Sequence, residues 1–236
     1  MNSSTKNKWQ FWIDRGGTFT DIVAKSPAGG LSTYKLLSEN PERYQDATLQ
    51  GMREILGFDE NESLADAIEV VKMGTTVGTN ALLERKGEPV ALVITRGFKD
   101  CLRIGYQNRP DIFALNIRLP EQLYQTVVEI DERVDAQGEV LRALDRPEAE
   151  RQLQALYEQG FRSIAIVLMH AWRFPEHERI LHQLAQSVGF PQISVSHQVS
   201  PLMKIVGRGD TTVVDAYLSP VLQRYVEGLQ AGLPET

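Results

Sequence analysis

A single cysteine, Cys101, stands among 236 residues, so no intrachain disulfide can staple the fold. That scarcity suits a reducing cytosol. No apolar run approaches the roughly 18 residues of a membrane-spanning helix. Met1 to Lys8 is polar and lacks the apolar stretch of about 7–15 residues that marks a secretory leader. Basic residues are outnumbered, 25 Lys and Arg against 31 Asp and Glu, and they are scattered. A net charge of −6 therefore leaves no surplus to displace counterions from a nucleic-acid backbone. Repeats, heptads and low-complexity tracts are missing too. These absences point to a cytoplasmic globular protein, with neither nucleic acid nor membrane as partner and a small molecule as the expected ligand. Apolar residues at 42% and charged residues at 24% match that class.

What is present reads as α/β. After a tail over residues 1–8, Trp9, Phe11 and Ile13 alternate on one face of a strand. Phe19 to Ala24 and Leu31 to Leu37 follow as further strands, separated by glycine-bearing turns. Asn40-Pro41 offers a helix start, with Tyr44, Ala47, Met52 and Ile55 at helical spacing and Gly57 as a stop. Ile68 to Met73 predicts a strand broken by Gly74, then a helix over Thr76 to Lys86 and a buried strand over Val90 to Thr95. Asp100 to Pro120 shows no period and reads as an irregular loop. Val127 to Val134 and Glu139 to Leu141 suggest a hairpin around Ala136-Gln137-Gly138. A second αβ set begins near residue 145, an expected sublobe boundary. It closes with a helix over about 211–229 that Pro220 should kink or divide.

The most informative stretch is Ile13-Asp14-Arg15-Gly16-Gly17-Thr18-Phe19-Thr20-Asp21. Adjacent glycines between strands can take positive φ and leave no side chain in the way, and their N–H groups can converge on an anion such as phosphate. Thr18 and Thr20 add hydroxyls, and Asp14 at the strand end could hold a hydrated Mg²⁺. The competing reading is a plain Gly-Gly hairpin with structural threonines. The motif fits neither the P-loop nor the dinucleotide fingerprint.

This stretch resembles the first phosphate motif of the actin, Hsp70 and sugar-kinase superfamily, whose lobes are ribonuclease H-like. More narrowly it is similar to that of the hydantoinase/5-oxoprolinase family. Met73 to Arg85, with Gly74-Thr75-Thr76-Val77-Gly78-Thr79-Asn80 at its start, Thr95 to Asp100, and Arg109-Pro110-Asp111-Ile112-Phe113 carry the same resemblance, as do Arg208 to Thr211 and Asp215 to Pro220. It spans about residues 10 to 225. Arg15 favours the oxoprolinase branch, since hydantoinase and acetone-carboxylase relatives more often carry Val there. Tyr106 departs from the small or polar residue usual at its place.

The resemblance implies a fold with an antiparallel phosphate hairpin, a mixed sheet and a second αβ portion. It also implies ATP-driven opening of 5-oxo-L-proline to L-glutamate through a phosphorylated amide, with Mg²⁺ and, as a candidate, K⁺. Residues 9–207 would form the family's N-terminal domain, and residues 208–236 the start of its larger A domain. The chain is thus expected to be part of a longer protein, inactive alone and completed by a C-terminal region or a B-type subunit, with homo-oligomers left open. Asp14, Thr75 and Thr76 become catalytic candidates. Arg15, Gly16, Gly17, Thr18 and Thr20 become phosphate contacts. Gly74, Thr79, Asn80, Arg109 and Asp111 become substrate contacts, with Asp14 and more weakly Asp21 for the metal. Plainer alternatives remain: Thr75 or Thr76 as a helix cap, and Arg109 with Asp111 as a surface ion pair. The alternative functions are hydantoinase-like or acetone-carboxylase-like chemistry, or a non-catalytic nucleotide-responsive module. His170, His177 and His182 lack zinc-site spacing and read as solvated or capping. Cys101 reads as packed, and the acidic run Glu129 to Arg133 as a solvated strand face.

Overall fold

The computed structural model describes residues 8–59, 62–64, 66–107, 113, 115–117 and 119–232. The chain forms two compact units. One comprises Met1–Lys86 with Val221–Thr236, the other Gly87–Pro220. Both are α/β. The expected boundary near 145 falls inside the second unit, where Asp145 caps a helix that packs on the unit's own sheet. Among the described residues no helix is long and apolar enough to cross a membrane.

In the first unit, β1 (Trp9–Arg15), β2 (Phe19–Lys25) and β3 (Leu31–Leu37) form an antiparallel meander. β4 (Ile68–Thr75) runs parallel to β1, giving the order β3-β2-β1-β4. Alternation buries Phe11, Ile13, Ile22 and Ala24 on one face, where α1 (Ala47–Leu56) adds Met52. Gly51 lets α1 lie close to the sheet, because a Cβ there would stand 2.2 Å from Ile22 Cδ1. α1 begins six residues beyond the Asn40-Pro41 signal. Asn40 instead starts a turn, its carbonyl accepting from the N–H groups of Arg43 and Tyr44. Asp46 is the cap, its Oδ1 accepting from Thr48 N at 2.8 Å and Leu49 N at 3.0 Å. Gly74 does not break β4: it pairs with Asp14 in the parallel ladder, and the strand continues to Thr75. α2 (Val77–Leu83) is shorter than its pattern predicts. Arg85 enters the left-handed region at φ 57°, and Lys86 N closes back on Ala81 O.

The second unit holds a parallel sheet in the order β10-β9-β5-β6, from β5 (Val90–Thr95), β6 (Tyr124–Ile130), β9 (Ser163–Val167) and β10 (Gln192–Val195). β5 and β9 are buried at every position, which explains their unbroken apolar runs. α4 (Arg146–Glu158) and α5 (Glu176–Val188) cover one face, packing Leu153, Leu156, Leu181 and Ala185 on Ala91, Val93, Ile164 and Ile166. The expected hairpin divides. β6 joins the parallel sheet, and only β7 (Arg133–Val134) pairs with β8 (Val140–Arg142). α3 (Cys101–Ile104) and α6 (Ser196–Val199) are single turns.

The last helix, α7 (Ile205–Gly232), passes through Pro220 without ending. A proline has no N–H to offer the carbonyl four residues back. That carbonyl, Ala216 O, instead accepts from Ser163 Oγ at 2.6 Å, and the next one, Tyr217 O, accepts from Glu88 N at 2.9 Å. Both outside donors therefore support the helix where its ladder is interrupted. Gly87 is part of this arrangement, since a Cβ there would lie 2.1–2.4 Å from ring atoms of Tyr217, which is buried. Gly87→Ala is expected to destabilise the second unit by about 1–3 kcal/mol through this overlap. A lowered thermal midpoint would show it, and an unchanged one would mean the ring moves aside freely.

Candidate functional site

β1 and β4 are parallel neighbours, so the two motifs that follow them emerge at one sheet edge. Asp14 lies opposite Gly74 and Arg15 opposite Thr75. The turn after β4 is tied to β1 by Thr76 N donating to Arg15 O at 3.1 Å. A Cβ on Gly74 would come within 3.8 Å of Asp14 Oδ1, so the absent side chain leaves that carboxylate uncovered. Asn80, on α2, reaches back to the hairpin: a Cβ on Gly17 would stand 2.7 Å from its Nδ2. The structure thus brings Asp14, Gly17, Gly74, Thr75, Thr76 and Asn80 together.

The glycines serve close approach rather than unusual dihedrals. Neither Gly16 nor Gly17 has positive φ, contrary to the sequence expectation. Gly16 N donates to Phe19 O at 3.0 Å, and a Cβ on Gly16 would sit 3.0 Å from that same oxygen. Behind the hairpin stands Ser38, nearly buried, which sequence reasoning missed. Its N–H donates to Thr18 O at 2.9 Å and its hydroxyl to Gly16 O at 2.7 Å. The same hydroxyl lies 3.0 Å from Thr20 Oγ1. Thr20 is fully buried, so its hydroxyl faces this brace and not the open edge where a ligand contact was expected.

Arg15 is similarly committed. Its guanidinium meets Asp46 Oδ2 at 3.3 Å and Ser38 O at 3.4 Å, and it lies 4.7 Å from the Tyr225 ring centroid. Tyr225 in turn donates its hydroxyl to Met73 Sδ. Asp21 faces Asp14 across the β1–β2 ladder, but Lys35 Nζ binds it at 2.8 and 3.0 Å. Asp14 is exposed, and its carboxylate makes no hydrogen bond or ion pair among the described residues. Thr18 and Thr79 are exposed, while Thr75 Oγ1 accepts from Val77 N at 3.2 Å in the turn before α2. Thr76 holds the cap position itself, and its hydroxyl accepts from Asn80 Nδ2 at 3.3 Å. Arg109 and Asp111 lie outside the described residues.

Two readings of the second unit are corrected. Glu132, expected on a solvated strand face, is buried: its Oε1 accepts from Thr95 Oγ1 at 2.5 Å, and its Oε2 lies 2.6 Å from His177 Nδ1. His177 is therefore a buried partner and not a solvated residue. Glu178, adjacent to it, is fully buried as well. It accepts from Leu168 N, Ser196 Oγ, His197 N and His197 Nδ1, all between 2.6 and 3.0 Å. Arg208 lies in the same region, wholly buried, its guanidinium donating to Leu202 O and Leu168 O. Burial pushes its pKa down, and Glu178 pulls it back up. Among the described residues no group of three potential metal ligands occurs. Burial, followed by the nearby Asp210 charge, raises the Cys101 thiol pKa, which fits a packed rather than a nucleophilic cysteine.

An α/β protein that joins a glycine hairpin and a threonine-bearing turn at the ends of two parallel strands is the class these features define. The description "hydantoinase/oxoprolinase N-terminal region" matches residues 10–189, and the chain belongs to that family. It is 42% identical to a 5-oxoprolinase of Dictyostelium discoideum over 96% of its own length, and 41% identical to 5-oxoprolinase 1 of Arabidopsis thaliana over 97%. In both cases it spans 20% of the relative, so the chain covers about a fifth of the length of these two proteins. The crystal structure of the ATP-dependent caprolactamase from Pseudomonas jessenii superposes with a TM-score of 0.78 at 28% identity, covering 96% of this chain and 34% of that one.

Proposed function

We propose that the chain is part of an ATP-dependent 5-oxoprolinase, which opens 5-oxo-L-proline to L-glutamate. The observation that carries this reading is the convergence of Asp14, Gly17, Gly74 and Asn80 at one strand edge. The groups the reaction needs fit there. Gly17 lets Asn80 close on the hairpin, Gly74 leaves the Asp14 carboxylate uncovered, and Thr18 presents an exposed hydroxyl beside them where phosphate oxygens would approach. One unpaired carboxylate suits Mg²⁺, which keeps most of its waters and shares the phosphates. Bound ATP would supply the driving force for attack on an unreactive amide. This chain's residues would hold the phosphates still (Gly17, Thr18), orient the metal waters (Asp14), and place the substrate through Thr79 and Asn80. On this reading Arg15, Thr20 and Ser38 brace the hairpin.

The mixed sheet order of the first unit supports its place in the actin, Hsp70 and sugar-kinase superfamily. Residues 208–236 correspond to the start of the family's A region. The remaining contacts come from sequence beyond these residues or from a B-type subunit.

ATP hydrolysis by the complete gene product, with its partner subunit where one exists, tests the reading. With 5-oxoproline present, phosphate and glutamate should appear together. A second reading, a larger lactam as substrate, draws on the likeness to the caprolactamase. Stimulation by ε-caprolactam or hydantoin, but not by 5-oxoproline, would transfer the assignment to that substrate. Absence of stimulation by any cyclic amide would defeat the enzyme reading.

A further inference from the structure

β5, β6 and β9 all end at the same edge of the second unit's parallel sheet. Open parallel sheets bind ligands outside the carboxyl ends of their strands. Here the residues just past β5 and β6, with β8, line a cleft of about 370 Å³: Arg96, Asp131, Glu132, Arg133, Leu141 and Arg142. A chain of net charge −6 has gathered three arginines into one cleft.

Their arrangement opposes stability. Arg133 and Arg142 are cross-strand partners in the β7–β8 ladder, where like charges facing each other destabilise. Asp131 offsets part of this, meeting Arg142 Nη1 at 2.6 Å and Arg96 Nη1 at 3.3 Å, and these contacts hold its carboxyl below the usual range. Arg133 gains nothing from it. Among the described residues Arg133 makes no ion pair. Its Nη2 donates to Arg96 O at 2.9 Å, and its guanidinium lies 5.1 Å from the Phe98 ring centroid. Two fixed points therefore orient a cation that lacks a counter-charge. The nearby carboxylates are engaged elsewhere: Glu132 with Thr95 and His177, and Glu129 with the N–H groups of Gly97 and Lys99.

We propose that this cleft binds a small oxyanion, a carboxylate or a phosphate, on Arg133 and Arg142. Guanidinium forks match both groups through paired, charge-assisted hydrogen bonds, and Arg is chosen over Lys where that geometry matters. The site lies wholly within the second unit and stands whether or not the hairpin of the first unit holds phosphate.

Backbone and arginine Nε NMR of the 236-residue chain, titrated separately with inorganic phosphate and L-glutamate at constant ionic strength, tests it. Saturable shifts are expected at residues 96–99, 131–133 and 140–142, with dissociation constants on the order of millimolar. Saturation by phosphate alone assigns a phosphate, and by glutamate alone a carboxylate. Arg133→Gln and Arg142→Gln should each weaken binding at least about tenfold. Arg151→Gln, an exposed arginine paired with Glu148 outside the cleft, should not. Should Arg133→Gln melt early, Arg142→Gln and the mapped shifts carry the test. Shifts confined to the hairpin and the β4–α2 turn, shifts that never saturate, or equal affinity in the arginine variants would overturn the proposal.

Discussion

Asp14→Ala is expected to cut 5-oxoproline-dependent ATP hydrolysis by about 100-fold or more, the scale of losing one preorganised electrostatic contact at a reacting phosphate. Its thermal unfolding should not change. The two expectations have one cause. Asp14 is exposed at the end of β1, next to Gly74, and no described side chain hydrogen-bonds or pairs with it. A carboxylate so placed contributes nothing to the fold that its removal could cost. Asp14→Asn keeps the shape and loses the charge, so it should behave like the alanine variant. A large fall in melting temperature alongside lost activity would mean a structural role. Full activity in both variants would remove the hairpin from the mechanism.

Glu178→Ala is expected to destabilise the Gly87–Pro220 unit by about 3–5 kcal/mol, the range found when one member of a buried charged pair is deleted. Four donors lose their acceptor at once: Leu168 N, Ser196 Oγ, His197 N and His197 Nδ1. Arg208, whose Nε is buried without a hydrogen-bond partner among the described residues, would also lose the nearby negative charge that favours its ionised form. Glu178→Gln retains a single acceptor oxygen and should fall between wild type and alanine. Hydrogen exchange over β9 and α5 would check this locally, which matters because two units need not unfold in one step. Unaltered protection there would show that the network is dispensable.

Much of this architecture was legible in the sequence, for reasons that differ by element. Trp9, Phe11 and Ile13 announce β1 because they alternate onto the face that packs with Met52 of α1. The runs of β5 and β9 are readable because both faces are covered. The hairpin could be located, and its glycines read as making room, but the group that closes on them could not. Only the fold shows Asn80 Nδ2 at the place where a side chain on Gly17 would crowd it. α1 starts later than the Asn40-Pro41 signal because the Asn40 carbonyl is taken up by a turn and Asp46 supplies the cap. The least legible residues were the buried polar ones. Ser38, Glu132, Glu178 and Arg208 find their partners at separations of 22, 45, 19 and 40 residues, and no local pattern records such pairings.

The first unit is built from two pieces of chain, and the second, Gly87–Pro220, is continuous. During synthesis the sheet of β1 to β4 emerges early, but Leu222, which packs on Gly78, and Tyr225, which meets Arg15 and Met73, are not yet made. At the usual elongation rates of about 5–20 residues per second, the unfinished sheet waits on the order of ten seconds while the whole inserted unit is translated. The inserted unit can reach its native state on or near the ribosome. The unit that carries the candidate site is completed only when the last helix has cleared the exit tunnel.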